Sequence, residues 1–191
     1  MSETNNIRSV EDLLRALNAG LKPKYLCFWG HQPERDGSVG KGSLSQWFAA
    51  DFTVDGDRYA SAEHFMMAEK ARLFGDEEAR AAILSTRSPA SAKQLGRSVR
   101  NFDERRWNDE RFEIVVRGNA AKFGQSPSMR EFLLRTGNKV LVEASPSDRI
   151  WGIGMTAQDE FALQPQKWRG LNLLGFALMA AREQLRTGDK R

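Results

Sequence analysis

The segment SAEHFMMAEKARLFGD, residues 61–76, sets a carboxylate (Glu63), an imidazole (His64) and an ammonium (Lys70) into a run that otherwise reads as an apolar helix. Two helical turns separate Glu63 from Lys70, so the pair projects from one face about 10 Å apart along the axis. That gap is too long for an ion pair and long enough to admit part of a small molecule. His64 offers a base, but neighbours in sequence do not face each other on a helix, so it ranks behind Glu63.

A second carboxylate source is LVEASPSDRIWGIG, residues 141–154. An apolar strand delivers Glu143 at its end, a Ser-Pro turn follows, and then come Asp148 and Trp151. Strand ends beside loops favour chemistry because a rigid element aims the side chain at a cleft. The plainer reading makes Asp148 a turn cap and Glu143 a surface residue. SLSQWF, residues 43–48, places Trp47 beside a glycine-rich loop, where it serves equally as a core aromatic or as a stacking plate for a base. In WRGLNLLG, Asn172 stands at a helix start as an N-cap, with anion binding as the alternative. The stretch GSVGKGS, residues 37–43, has glycines at the interval of a phosphate loop. Lys41, however, precedes the second glycine and Ser43 follows it, so the decisive Gly-Lys-Ser order is missing.

The elements that must hold these residues are mostly helical. VEDLLRALNAG, residues 10–20, reads as a short amphipathic helix closed by Gly20. KYLCFW is a buried-strand candidate, FTVDGDRYA a hairpin around Asp55-Gly56, and KVLVEA the clearest strand. The helix at 62–73 is followed by DEEARAAILS. Next comes a helix capped at Ser88-Pro89, then a long one from a cap at Asp103 to a stop at Gly124. Another helix follows Ser126-Pro127, and LNLLGFALMAAREQLR closes the chain with Leu174, Leu178, Ala181 and Leu185 at core spacing. Strands are too few for a doubly wound sheet. The pattern gives an α+β class, a helix-rich single domain with a small β-sheet.

Bulk properties narrow the choices. The chain of 191 residues suits one domain, with 40% hydrophobic and 28% charged residues. Neither a membrane-length apolar run nor a secretory signal is visible, and the expected location is cytoplasmic. Cys27 is the only cysteine, so no internal disulfide forms. With His31 and His64 it gives too few ligands for a Cys/His zinc site, and no metal or cofactor is expected. The net charge of +4 is spread as +1 over residues 1–24, +2 over 186–191 and +1 over the body, which leaves no basic stripe for a polynucleotide.

In order along the chain, CFWGH, LSQWF, YASAEHFMMAEK, LGRSVRNF, RGNAAKF, LVEASPSDRIWGIG and NLLGFALMAAREQL resemble the YbiA-like, or NADAR, family from about Phe28 to Leu185. Members commonly carry FSNF where this chain has SLSQWF, and HYFQAQK where it has HFMMAEK; the Glu, His and Lys positions are kept. The resemblance divides the chain into an N-terminal appendage helix (1–22), a YbiA-like domain (23–186) and a tail (187–191).

It implies N-glycosidic bond cleavage, either in ribosylamino-pyrimidine phosphates, early riboflavin intermediates, or in ADP-ribosylated guanine bases. The partner is then a small ribosyl phosphate or ADP-ribosyl substrate, free or carried on DNA, with no membrane. On this reading Glu63, Lys70 and Asp148 are catalytic. Glu63 faces the developing charge at C1′, and Lys70 binds phosphate or attacks C1′ as a Schiff-base amine. Glu143 is the alternative second carboxylate, Trp47 and Trp151 stack the base, and His64 lies close by. Arg97, Lys122 and Asn172 hold phosphate or ribose. The competing classes are a non-catalytic ADP-ribose or nucleotide-binding module and a structural protein with an ordinary apolar helix.

Overall fold

A computed structural model describes residues 6–188. The first residues of the expected appendage and the last three of the expected tail lie outside them. Among the described residues, seven α-helices accompany two two-stranded sheets. Helix α1 (Val10–Asn18) precedes strand β1 (Tyr25–Phe28), and β2 (Phe52–Val54) and β3 (Asp57–Tyr59) form an antiparallel hairpin. Then come α2 (Ala62–Leu73), α3 (Glu77–Ser85), α4 (Pro89–Arg97), α5 (Glu104–Gly124) and α6 (Pro127–Arg135). Strand β4 (Val140–Glu143) and helix α7 (Leu173–Gly188) complete the chain. The helix-rich α+β class read from the sequence is the observed one. Among the described residues, no helix is long and apolar enough to cross a membrane.

Local chemistry sets most boundaries. Ser9, Ser61, Asp76, Ser88 and Asp103 each accept a main-chain N–H three residues on, satisfying a donor the first turn leaves open. Ser126 makes no such bond, although Pro127 still starts α6. At the hairpin turn Asp55 and Gly56 both have positive φ, 52° and 89°, as a two-residue turn of matching twist requires. Helix α1 lies outside the matched motifs yet is part of the core, with Leu13 fully buried.

Helix α2 is the centre of the molecule. Every residue from Ala62 to Glu69 is buried, so the helix is enclosed on all sides rather than amphipathic. It packs against α3, α4 and α5, and the hairpin sets Phe52 and Tyr59 on Phe65. Two glycines let the neighbours come close. A Cβ on Gly96 of α4 would lie 2.0 Å from Met67 Sδ, and one on Gly118 of α5 would lie 2.5 Å from Phe65 Cδ1. Buried Glu69 pairs with Arg72 within α2 (2.8 Å) and ties the helix to α5 through Arg117 (3.2 Å).

Strands β1 and β4 pair in parallel, with Phe28 opposite Glu143, so both carboxyl ends lie at one end of the sheet. Helix α7 covers β4, and Gly175 permits the approach: a Cβ there would stand 2.1 Å from the Leu141 carbonyl oxygen.

A Gly118→Ala variant therefore forces Phe65 off its position. The expected loss is about 1–3 kcal/mol, about 2–4 °C in Tm per kcal/mol, read by thermal unfolding. An unchanged Tm would show that α2 and α5 are less tightly apposed.

Candidate functional site

The N-terminal turn of α2 carries Glu63 inward. Its main-chain N–H donates to the Gln46 carbonyl (2.9 Å), and the Trp47 side chain hydrogen-bonds its carboxylate. The residue is 3% exposed, and Oε1 has no hydrogen-bond partner. Burial pushes its pKa up to about 7. Lys93 of α4, Trp47 and Arg97 pull the other way, while Asp148 adds to the rise.

Glu143 arrives from the end of β4. Its N–H is held by Asn172 Oδ1 (2.9 Å), and its carbonyl accepts the N–H of Ile153 (2.9 Å). Its Oε2 is buried and unpartnered. Burial first, then the negative charges of Asp148 and Glu63, raise its pKa to about 8, against a small opposing effect of Lys93. Asp148 uses Oδ1 to accept the N–H groups of Ile150 (2.8 Å) and Trp151 (2.7 Å). It is thus both the turn cap and a charge that acts on the two glutamates.

Three carboxyl groups therefore share one region, two of them with a buried oxygen that the protein leaves unsatisfied. Such a group is costly in a folded chain unless something else binds it. The surroundings are aromatic and cationic. Lys93 Nζ lies 5.7 Å from the Trp47 ring centroid, and His31 stands 5.8 Å from the same ring on the outer side. Among the described residues, no group of three or more His, Cys, Asp or Glu side chains is arranged to hold a metal ion.

Residues 27–186 match the model of the NADAR domain. The chain belongs to the NADAR domain family. It is 45% identical over 166 residues to an N-glycosidase of Acanthamoeba polyphaga mimivirus, covering 84% of this chain and 96% of the relative. It is 32% identical over 144 residues to the N-glycosidase YbiA of Escherichia coli strain K12, covering 75% of this chain and 81% of that one. The solution NMR structure of Escherichia coli YbiA superposes with a TM-score of 0.71 at 26% identity, over 100% of this chain and 96% of the other. The enzyme class expected from the resemblance, a hydrolase of N-glycosyl bonds, is the class these relatives are named for.

In this NADAR protein the expected site residues divide into two groups. Asp148, Trp47 and Arg97 act on Glu63, and Asp148 and Glu63 act on Glu143. Trp151, half-buried, sits on the same turn as Asp148. Lys70 is engaged elsewhere. Its Nζ donates to the Gly96 carbonyl (2.7 Å) at the end of α4 and lies 4.2 Å from the Phe102 ring centroid. The ammonium set against Glu63 is that of Lys93, which sequence reasoning missed. Lys93 lies one turn before Arg97 in ASAKQLGR, and that spacing to a candidate residue was the available signal.

Three further residues expected at the site are engaged within the protein. Lys122, expected on phosphate or ribose, is 1% exposed and donates to the main-chain oxygens of Ser43 (2.7 Å) and Ser45 (2.8 Å). Asn172 neither caps α7 with its side chain nor meets solvent. In a left-handed conformation (φ 52°) it spans β4, donating to Leu141 (2.9 Å) and accepting from Glu143. His64 is buried, its Nδ1 2.7 Å from Ser61 Oγ, and burial holds its pKa below the usual range. All three are cut off from solvent by the packing that fixes them.

The raised carboxyls carry a signature. Both glutamates would ionise near 4.5 in an unfolded chain but near 7 and 8 in the folded one, so in that window the native state holds more protons. Stability must then fall as pH rises from about 4.5 to about 8. Glu63→Gln and Glu143→Gln should each raise Tm, relative to wild type, by a few degrees more at about pH 9 than at about pH 5. A pH-independent difference would contradict the burial of these groups.

Proposed function

We propose that this protein is an N-glycosidase that hydrolyses a ribosyl C1′–N bond, in ribosylamino-pyrimidine phosphates or in ADP-ribosylated guanine bases. The observation that carries this reading is the pair of buried glutamates with unsatisfied oxygens, one favoured as the anion and one as the acid. Both substrate groups share a ribose bonded through its anomeric carbon to nitrogen, with phosphate at the 5′ end.

Cleavage of such a bond builds positive charge on the ribosyl ring and negative charge on the departing nitrogen. Glu63, with Lys93, Arg97 and the Trp47 side chain favouring its ionised form, supplies the carboxylate that faces the oxocarbenium-like centre. It also takes a proton from the attacking water. Glu143, crowded by Asp148 and Glu63, keeps its proton at neutral pH and gives it to the leaving nitrogen. Trp47 and Trp151 supply apolar faces for the base, and Lys93 and Arg97 supply positive charge for phosphate. Lys70 needs no covalent part in this scheme, because its ammonium is held by the Gly96 carbonyl.

The test is release of base from ribosylamino-pyrimidine phosphate, ADP-ribosylated guanosine and plain nucleosides. Turnover is expected for one of the first two groups. Glu63→Gln and Glu143→Gln should each lower kcat by at least about 100-fold. The kcat/KM profile should be bell-shaped, with limbs near 7 and 8. Binding without turnover would replace this reading with that of an ADP-ribose or nucleotide-binding module. A sugar adduct trapped by borohydride and lost in Lys70→Ala would restore the covalent route.

A further inference from the structure

Lys122 is one of the largest fully buried side chains of the molecule, and its ammonium has an unusual set of neighbours. Its hydrogen bonds go to two main-chain carbonyls, those of Ser43 and Ser45, and not to a carboxylate. The rings of Phe123 (5.1 Å) and Phe48 (5.7 Å) complete its surroundings. A buried cation without an anionic partner is costly, and burial pulls the Lys122 pKa down to about 7. Its presence calls for a reason outside packing.

What the ammonium grips supplies that reason. The segment 41–47 opens with a short 3-10 turn (Lys41–Leu44) and then runs irregularly to Trp47, with few main-chain bonds of its own. Helix α5 holds it at two points one turn apart. Lys122 binds the carbonyls of Ser43 and Ser45, and Asn119 Nδ2 donates to Gln46 Oε1 (2.9 Å). The next groups along that segment meet Glu63: the Gln46 carbonyl accepts its N–H, and the Trp47 side chain bonds its carboxylate. Trp47 is steadied from the same segment, since its N–H donates to Ser45 Oγ (3.1 Å).

We propose that Lys122 is a positioning residue for Glu63: its buried ammonium clamps residues 43–45 to α5, so that Gln46 and Trp47 reach the glutamate in the geometry that favours its ionised form. This rests on the reading of Glu63 as the charged carboxylate of the site, and its test uses a readout that needs no substrate.

The readout is the titration midpoint of the Glu63 carboxyl, followed by carbon-13 NMR of glutamate-labelled protein and assigned by its loss in Glu63→Gln. Lys122→Met fills the space without donors. It leaves the Ser43 and Ser45 carbonyls without their donor and so lowers Tm by a few degrees, yet it should also move the Glu63 midpoint upward by about one unit, a tenfold change in proton affinity. Trp47→Phe should do the same, and Lys122→Met combined with Trp47→Phe should move it no further than Trp47→Phe alone, because both act through one contact. If Lys122→Met does not fold, Lys122→Gln keeps a donor for the carbonyls, and its midpoint should lie between that of the wild type and that of Trp47→Phe. An unmoved midpoint in a folded Lys122 variant, or additive shifts in the double variant, would overturn the proposal. If the midpoints behave as stated while no substrate is turned over, Lys122 is still the clamp and only the glycosidase reading fails.

Discussion

The structure depends on keeping a carboxylic acid dry at the head of its most enclosed helix. Glu63 belongs to a turn of α2 in which every residue is buried, and one of its oxygens has no partner within the protein. Evolution of a stable core alone would have put an apolar residue there, because an unsatisfied buried acid opposes folding. Everything nearby serves to tolerate that acid without neutralising it. Lys93 and Arg97 supply charge from α4, Trp47 supplies a hydrogen bond, and Asp148 opposes its ionisation. The site is a balance of attractions and repulsions that leaves one proton in motion near neutrality.

That balance is carried by elements that do not belong to the site. Gly96 and Gly118 bring α4 and α5 against α2 closely enough for their side chains to share its surroundings. Asn172 fastens the end of β4 and, through its N–H to the Gly152 carbonyl (3.1 Å), the turn that follows Asp148. One residue thus holds the backbone at Glu143 and at Gly152, on either side of the loop that carries Asp148. Its positive φ is the strain this bridging demands.

Much of this was legible in the chain. Asp55-Gly56 specified its hairpin because few residue pairs accept two left-handed conformations, and the Ser and Asp caps marked helix starts for an equally local reason. Glu63, Glu143 and Asp148 stood out because acids are rare at the ends of apolar runs. What stayed hidden was pairing across elements. Lys93 looks like any lysine on a helix, and only packing shows that it faces Glu63. Lys122 follows an unremarkable Asn-Ala-Ala, and nothing local reveals that α5 buries it. Asn172 carries the same signal whether it caps a helix or braces a strand. Lys70 matched the spacing of a site residue, but an end-of-helix carbonyl on α4 captured it.

The parallel pairing of β1 with β4 has one more effect. Phe28 and Glu143 lie side by side in space, yet helices α2 to α6 are all threaded between them in the chain. Closing so wide a loop is entropically slow and has to await the docking of what lies within it. A growing polypeptide therefore holds Glu63 long before its acidic counterpart emerges. Until β4 has been made, the buried acid lacks the carboxyl that competes with it for the proton.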